Sequence, residues 1–346
     1  QSLINEGLIL AGHDISAGGM ITTLLEMTFA NKNGGIVADI SALGDGDAIK
    51  TLFAENPGVI IQVKDVNKVT RILDEAKVLY SYLGRPQSER TLSISVDGEV
   101  LTFDIDHLRD VWYKTSFLLD CKQSTEKKAT ERYTNYKNQA LNIRLPKHFE
   151  GTLEQFGLSM RRTEKSGIKA AVIREKGNQC ERETAYLLYL AGFDVKDVHM
   201  TDLVSGRETL EDVNMVVYCG GFSNSDVLGS AKGWAGAFLY NEKAKKALDN
   251  FYARPDTLSI GICNGCQLIT ELGYIYPEHK EKYKMLHNDS HKFESNFVAL
   301  EIPENNSVLF KSLAGCSLGT WVAHGEGKFS FPYAESEYNV VCKYAY

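Results

Sequence analysis

The sequence predicts an α/β chain in which a doubly wound, mostly parallel sheet occupies the C-terminal half and a smaller α+β part precedes it. Three observations predict this. From Ile168 onward, short apolar runs alternate with longer amphipathic stretches, the βαβα order that gives parallel strands covered on both faces. Thr91 to Ile105 alternates apolar and polar residues around Asp97-Gly98, a dipeptide that favours positive φ in a two-residue hairpin turn. Gly261-Ile262-Cys263-Asn264-Gly265 follows an apolar run, where a sharp strand-to-helix turn is expected.

Taken in order, residues 18 to 30 place apolar groups at helical spacing, and Asn33-Gly34-Gly35 ends that helix. A strand follows at Ile36 to Ile40, a short helix near Ala48 to Ala54, a buried strand at Gly58 to Val63 and an amphipathic helix from Val66 to Ala76. The hairpin closes this part at residue 105. Residues 106 to 166 are rich in Lys, Glu, Thr, Asn and Gln, densest at Lys122 to Lys137, and read as a helical and irregular connector. Its basic residues suggest a binding patch, but Glu126 and Glu131 interleave with them, as on a solvated face. The second region, 167 to 346, offers strands at Ile168 to Ile173, Phe193 to His199, Met215 to Cys219 and Leu258 to Ile262. Helices are expected at Glu181 to Leu190 and Trp234 to Phe251.

At 346 residues the chain can bury two cores. Its 43% hydrophobic and 24% charged residues are ordinary for a soluble protein, and no apolar run approaches the roughly 18 residues of a membrane span. A net charge of -7 argues against nucleic acid as a partner and for small-molecule substrates. The seven cysteines are scattered, only Cys263 and Cys266 lying close, which predicts free thiols in a reducing compartment. With no signal-peptide pattern, the expected location is cytoplasmic. The chain starts at Gln1 rather than Met, and residues 339 to 346 resemble a strand cut short, so a fragment of a longer polypeptide is expected.

The Gly-x-Cys-x-Gly turn is the cysteine form of a nucleophile elbow. Glycines at 261 and 265 permit close approach of helix and strand, and the unpaired N–H groups and dipole of the following helix favour a thiolate. An inert buried cysteine in an ordinary turn satisfies the same pentapeptide. Cys219-Gly220-Gly221-Phe222-Ser223 ends a neighbouring strand, where backbone N–H groups at Gly221 and Phe222 could join that of Asn264 in stabilising an oxyanion. A plain turn is the alternative. Near the N-terminus, His13-Asp14-Ile15-Ser16 before Gly18-Gly19 brings a carboxylate, a hydroxyl and helix N–H groups together, suited to a magnesium-bound phosphate or to helix capping by Ser16.

These residues carry a specific resemblance. Gly261-Ile262-Cys263-Asn264-Gly265-Cys266-Gln267, Cys219 to Ser223, Asp226-Val227-Leu228-Gly229 and Ala323-His324-Gly325-Glu326-Gly327 resemble the class I glutaminase domain of the large phosphoribosylformylglycinamidine synthase family. His13 to Gly19 resembles a motif in the second half of that family's synthetase domain, and both sets occur in family order. The resemblance implies a flavodoxin-like glutaminase domain at 167 to 346, preceded by the C-terminal part of an aminoimidazole ribonucleotide synthetase-like domain at 1 to 105. It also implies a C–N ligase that uses ATP, magnesium, glutamine and formylglycinamide ribonucleotide, together with an upstream synthetase part of the same polypeptide.

By position Cys263 takes the nucleophile role and forms a glutamyl thioester, with Cys266 as packing. Gly221, Phe222, Asn264, Gln267, His324 and Glu326 fall at the oxyanion and glutamine positions, as does the segment His287 to Glu294, for which a polar surface loop is the other reading. Asp14 is implied as a magnesium ligand and Ser16 as an ATP contact. The family's Pro-His-Pro-Glu segment, which carries the general base and its orienting carboxylate, has no counterpart here, and weak activity of this chain alone is the expectation. His324 and Glu326 share that His-x-Glu spacing and are expected to line the glutamine site or ammonia route rather than replace the pair. Asn224-Ser225 stands where many relatives have Tyr-Gly, and Ala17 where many have Asp. A cysteine-elbow hydrolase or chaperone, or a non-enzymatic interaction module, remains the rival reading.

Overall fold

The computed structural model describes residues 1–44, 46–138 and 141–345. It contains two compact units, Gln1–Lys137 and Asn138–Tyr346. Among the described residues no helix is long and apolar enough to cross a membrane.

The first unit runs α1 (Ser2–Asn5), β1 (Ile9–Ile15), α2 (Gly19–Phe29), β2 (Gly35–Asp39), α3 (Ala48–Phe53), β3 (Gly58–Val63), α4 (Val66–Glu75), β4 (Gly84–Gln87), β5 (Thr91–Val96), β6 (Glu99–Asp104), α5 (Ile105–Gln123) and α6 (Glu126–Asn135). A four-stranded sheet, β4-β2-β5-β6, buries Ile40, Leu92 and Ile94 against Ile21 and Leu24 of α2. β1 and β3 form a separate antiparallel pair. The Asp97-Gly98 turn joins β5 to β6 with Asp97 at φ 48 and Gly98 at φ 89.

Residues 106 to 135 do not behave as a connector. Asp104 caps α5 by accepting from His107 N–H, and the 19-residue helix packs back onto α2, where Trp112 lies 5.5 Å from Phe29 and donates to Glu26. α6 returns along α5 with Tyr113 and Tyr136 stacked at 4.1 Å and Phe117 and Tyr133 at 4.6 Å. Aromatic residues at helical spacing supply these contacts, with Arg109 and Asp120 also buried, whereas Val111, Leu118 and Leu119 stay exposed.

The second unit opens with β7 (Lys169–Arg174), α7 (Glu181–Leu190), β8 (Asp194–His199), α8 (Met200–Ser205), β9 (Met215–Tyr218), α9 (Lys232–Leu239), α10 (Glu242–Ala253), β10 (Leu258–Gly261) and α11 (Asn264–Leu272). Its sheet has the order β10-β9-β7-β8, all pairs parallel. Read from β8, this is the 2-1-3-4 order of flavodoxin-like folds, with the topological switch between β7 and β9. Alternate residues of the two central strands feed opposite cores. Ala171, Ile173, Val216 and Tyr218 pack with Trp234, Phe238 and Leu268, while Ala170, Val172, Met215 and Val217 pack with Leu188. The helix expected from 234 to 251 is two helices, because the Asn241 side chain accepts from Lys243 and Ala244 N–H and starts a new one.

Beyond α11 the chain forms antiparallel pairs: β11 (Lys284–Leu286) with β14 (Lys328–Ser330), and β12 (Glu294–Glu301) between β13 (Ser317–His324) and β15 (Lys343–Tyr344).

Candidate functional site

Parallel strands deliver their carboxyl ends, and the residues after them, to one edge of the sheet. At that edge β10 ends on Gly261, and Cys263 adopts φ 51, ψ -108, a conformation outside the regions L-residues favour. Two close approaches fix the turn. A Cβ on Gly261 would lie 2.4 Å from the Gly265 carbonyl oxygen, and one on Gly265 would lie 2.1 Å from that of Tyr218 in β9. Neither position tolerates a side chain. Cys263 is exposed at the N-terminus of the nine-residue α11, with its Sγ 3.8 Å from the Ala323 carbonyl oxygen. Cys266, one turn on, is held by burial above the ordinary thiol range.

Asn264 is fully buried and ties the elbow to its surroundings. Its Oδ1 accepts from Ser223 N–H at 3.1 Å, and its Nδ2 donates to Gln267 Oε1 at 2.9 Å and to Asp226 Oδ1 at 3.3 Å. Gln267 then donates from Nε2 to the Glu326 carbonyl at 2.8 Å. One network therefore joins α11, the loop after β9 and the turn after β13. Both ends of the Gln267 amide are engaged within the protein, so this residue positions the network.

The loop after β9 is pinned against the loop after β7. Phe222 N–H donates to the Gly177 carbonyl, and Gln179 N–H donates to that of Gly220, stitching this loop to the one after β7. Phe222 N–H is thus unavailable to an oxyanion. Its neighbour Gly221, at φ 129, belongs to the Asn178–Gly221 bridge, whose two hydrogen bonds use the flanking residues and leave the Gly221 amide aimed away from the loop after β7. Asn224, Ser225 and Asp226 all have φ near +50. The Asn224-Ser225 departure therefore falls on a left-handed turn, which Asn tolerates well and Ser less so.

β13 ends at His324, so Glu326 is off the strand and the two side chains part. His324 Nδ1 bonds Asn288 Oδ1 at 2.9 Å, whereas the Glu326 carboxylate lies 3.5 Å from His287. Burial lowers the His324 pKa below its ordinary value. Asn288 is itself buried, and it also donates to the His324 carbonyl and accepts from Gly327 N–H. Gly327 packs flat on the imidazole, where a Cβ would come within 2.4 Å of ring atoms. Asn288 lies in the polar segment 287 to 294; its place as the clamp of this turn is not readable from composition, because its partners are backbone groups 36 to 39 residues away.

In the first unit, Asp14 lies on β1 with its side chain 72% exposed and 3.4 Å from His13, which also pairs with Glu26 at 3.2 Å. Ser16 is exposed, and its carbonyl, not its hydroxyl, accepts from Gly19 N–H; the α2 N-cap is Gly18, with no side-chain cap. Gly18 N–H donates to Glu55 Oε1 at 2.9 Å, so a carboxylate already holds one of the amides expected to meet phosphate. Among the described residues no group of three or more His, Cys, Asp or Glu is placed to hold a metal ion, at Asp14 or elsewhere. A groove of about 760 Å³, lined by Leu24, Met27, Ile60, Val69, Leu83 and Pro86 among others, contains none of the residues from 13 to 16.

Residues 167–346 match the family described as CobB/CobQ-like glutamine amidotransferase domain, and residues 1–97 match AIR synthase related protein, C-terminal domain. A probable phosphoribosylformylglycinamidine synthase of Arabidopsis thaliana is 36% identical over 96% of this chain and 24% of that protein. The phosphoribosylformylglycinamidine synthase of Drosophila melanogaster is 34% identical over 96% of this chain and 26% of its own length. The chain thus spans about a quarter of the curated relatives it matches. Among solved structures, PurLQS from Thermotoga maritima shares 27% identity at a TM-score of 0.41, covering 52% of this chain and 75% of that one. By its family match over the elbow-bearing unit, the chain belongs to the CobB/CobQ-like glutamine amidotransferase family, and over nearly its whole length it is similar to phosphoribosylformylglycinamidine synthases.

Proposed function

We propose that residues 167–346 are a glutaminase with Cys263 as nucleophile, and that the chain is the C-terminal part of a phosphoribosylformylglycinamidine synthase. Residues 1–105 would then be the C-terminal part of its synthetase domain. In that enzyme the released ammonia serves an ATP-dependent conversion of formylglycinamide ribonucleotide to formylglycinamidine ribonucleotide. The observation that carries the reading is the backbone of Cys263, held at φ 51, ψ -108 between two glycines and presenting an exposed thiol at a helix N-terminus.

The thiolate attacks the glutamine amide carbon, and the tetrahedral oxyanion accepts hydrogen bonds from Asn264 N–H and Gly221 N–H, each donor contributing about 3 kcal/mol. The C–N bond breaks, the nitrogen takes a proton and leaves as ammonia, and water hydrolyses the glutamyl thioester to glutamate. Asn264 and Gln267 side chains hold the donors in place. His324 and Glu326 line the site rather than act as a base pair, since the one is bonded to Asn288 and the other lies beside His287.

In the assembled synthetase Asp14 would ligate magnesium, with Ser16 touching ATP, and the exposed Asp14 would need further ligands from outside this turn. The free thiols favour a reducing compartment such as the cytoplasm. A glutamine-like diazoketone tests the glutaminase assignment. Selective alkylation of Cys263, slowed by glutamine and absent in Cys263→Ser, is expected. Alkylation of Cys263 no faster than of the other thiols, and indifferent to glutamine, would overturn it.

A further inference from the structure

Gly220 lies between the Cys263 side chain and the Cys180 sulfur. A methyl group placed on it would stand 3.2 Å from Cys263 Cβ and 3.9 Å from Cys180 Sγ, so both side chains border this glycine. Cys180 Sγ and Cys263 Cβ are therefore no farther apart than the sum of those two distances. Closing a disulfide, with its Cβ–Cβ separation of about 3.8 Å, calls for side-chain rotation and a shift of the loop. The topology explains the meeting. Cys263 follows β10, Gly220 follows β9 and Cys180 closes the loop after β7, so all three stand at the carboxyl edge of one parallel sheet.

The four cysteines of this edge differ in what they can do. Cys263 is exposed and Cys180 partly so. Cys219 is fully buried, which pushes its thiol up to about 12, and burial raises Cys266 as well, so both are kept as unreactive thiols. Cys180 stands at the N-terminus of the ten-residue α7, its Sγ accepting from Thr184 Oγ1 at 3.9 Å.

We propose that Cys180 is a resolving thiol that captures oxidised Cys263 as a reversible disulfide. The oxidant is a hydroperoxide, with hydrogen peroxide as the simplest. Cys263 sulfur attacks one peroxide oxygen, the O–O bond breaks, and Cys263 sulfenic acid and one water result. Cys180 sulfur then attacks Cys263 sulfur, the S–O bond breaks, and the hydroxyl leaves with the Cys180 proton as a second water. Two thiols and one peroxide give one disulfide and two waters, with two electrons passing from sulfur to oxygen. The bond removes the nucleophile from use and shields it from irreversible overoxidation, and a dithiol restores it. The proposal depends only on the placement of the thiols and holds whatever Cys263 does to glutamine.

The test treats the purified 346-residue chain with hydrogen peroxide and maps its peptides without reduction. A Cys180–Cys263 cross-link is expected, with alkylation of Cys263 by iodoacetamide lost on oxidation and restored to at least about nine-tenths by dithiothreitol. In Cys180→Ser the same treatment should carry Cys263 to sulfinic acid, with recovery at least about five-fold poorer. A cross-link from Cys263 to Cys219 or Cys266 in the unmutated chain, or sulfinic acid forming there with no cross-link, would overturn the proposal. Mapping the unmutated chain decides the matter even if the variant does not fold.

Discussion

The turn from β10 into α11 and the turn from β1 into α2 are both glycine-bearing strand-to-helix junctions tied to residues remote in sequence, yet only the first is tied by a fully buried polar side chain. At the elbow, Asn264 makes three side-chain hydrogen bonds in full burial, reaching the loop after β9 and, through Gln267, the turn after β13. At the N-terminal turn, Asp14 extends into water, and Glu55 occupies the Gly18 amide. The difference teaches that a local motif fixes a backbone shape, while a site needs long-range partners to converge on one atom. The elbow has that convergence within its own unit.

Substitutions break or sharpen this contrast in a graded way. Gly265→Ala drives a methyl into the Tyr218 carbonyl and should lower the unfolding free energy by about 3 kcal/mol, read as a fall in the urea midpoint of the tryptophan signal. A wild-type midpoint would mean that α11 and β9 are not pressed together. Gln267→Leu leaves Asn264 Nδ2 and the Glu326 carbonyl each short of a partner, a loss of about 1 to 3 kcal/mol that should also slow alkylation of Cys263. Unchanged stability together with unchanged alkylation would remove the network from the account. Asp14→Asn should fall within about 0.5 kcal/mol of the parent chain, since the group is exposed and pairs with a neighbouring histidine. A loss above about 2 kcal/mol in the same urea assay would show that this turn is locked after all.

The glycines of the elbow were legible because a close approach leaves only one residue type possible, and a short spacing records it. The flavodoxin-like strands at 169, 194, 215 and 258 were legible for a related reason: buried parallel strands are continuous apolar runs. β1 was not, because Gly12, His13 and Asp14 break its pattern and its pairing with β3 holds it in place. β13 escaped notice because Trp321, its largest apolar residue, is 70% exposed while Ser317 is buried, inverting the usual alternation. The loss of the Phe222 amide to Gly177, and the parting of His324 from Glu326, depend on partners some 35 to 45 residues away. Spacing along the chain carries no trace of them.

The aromatic packing of α5 against α2 has an optical consequence. The chain has three tryptophans, and Trp112 alone belongs to the first unit, half exposed beside Phe29 and Tyr113. Trp234 is sealed in the core of the second unit, whereas Trp321 stands in water on β13. Each compact unit thus carries its own intrinsic lamp, and the second carries one that a dissolved quencher reaches and one that it does not. Single-tryptophan variants would let the melting of each unit, and of the parallel sheet apart from the antiparallel strands, be followed by emission without any added dye.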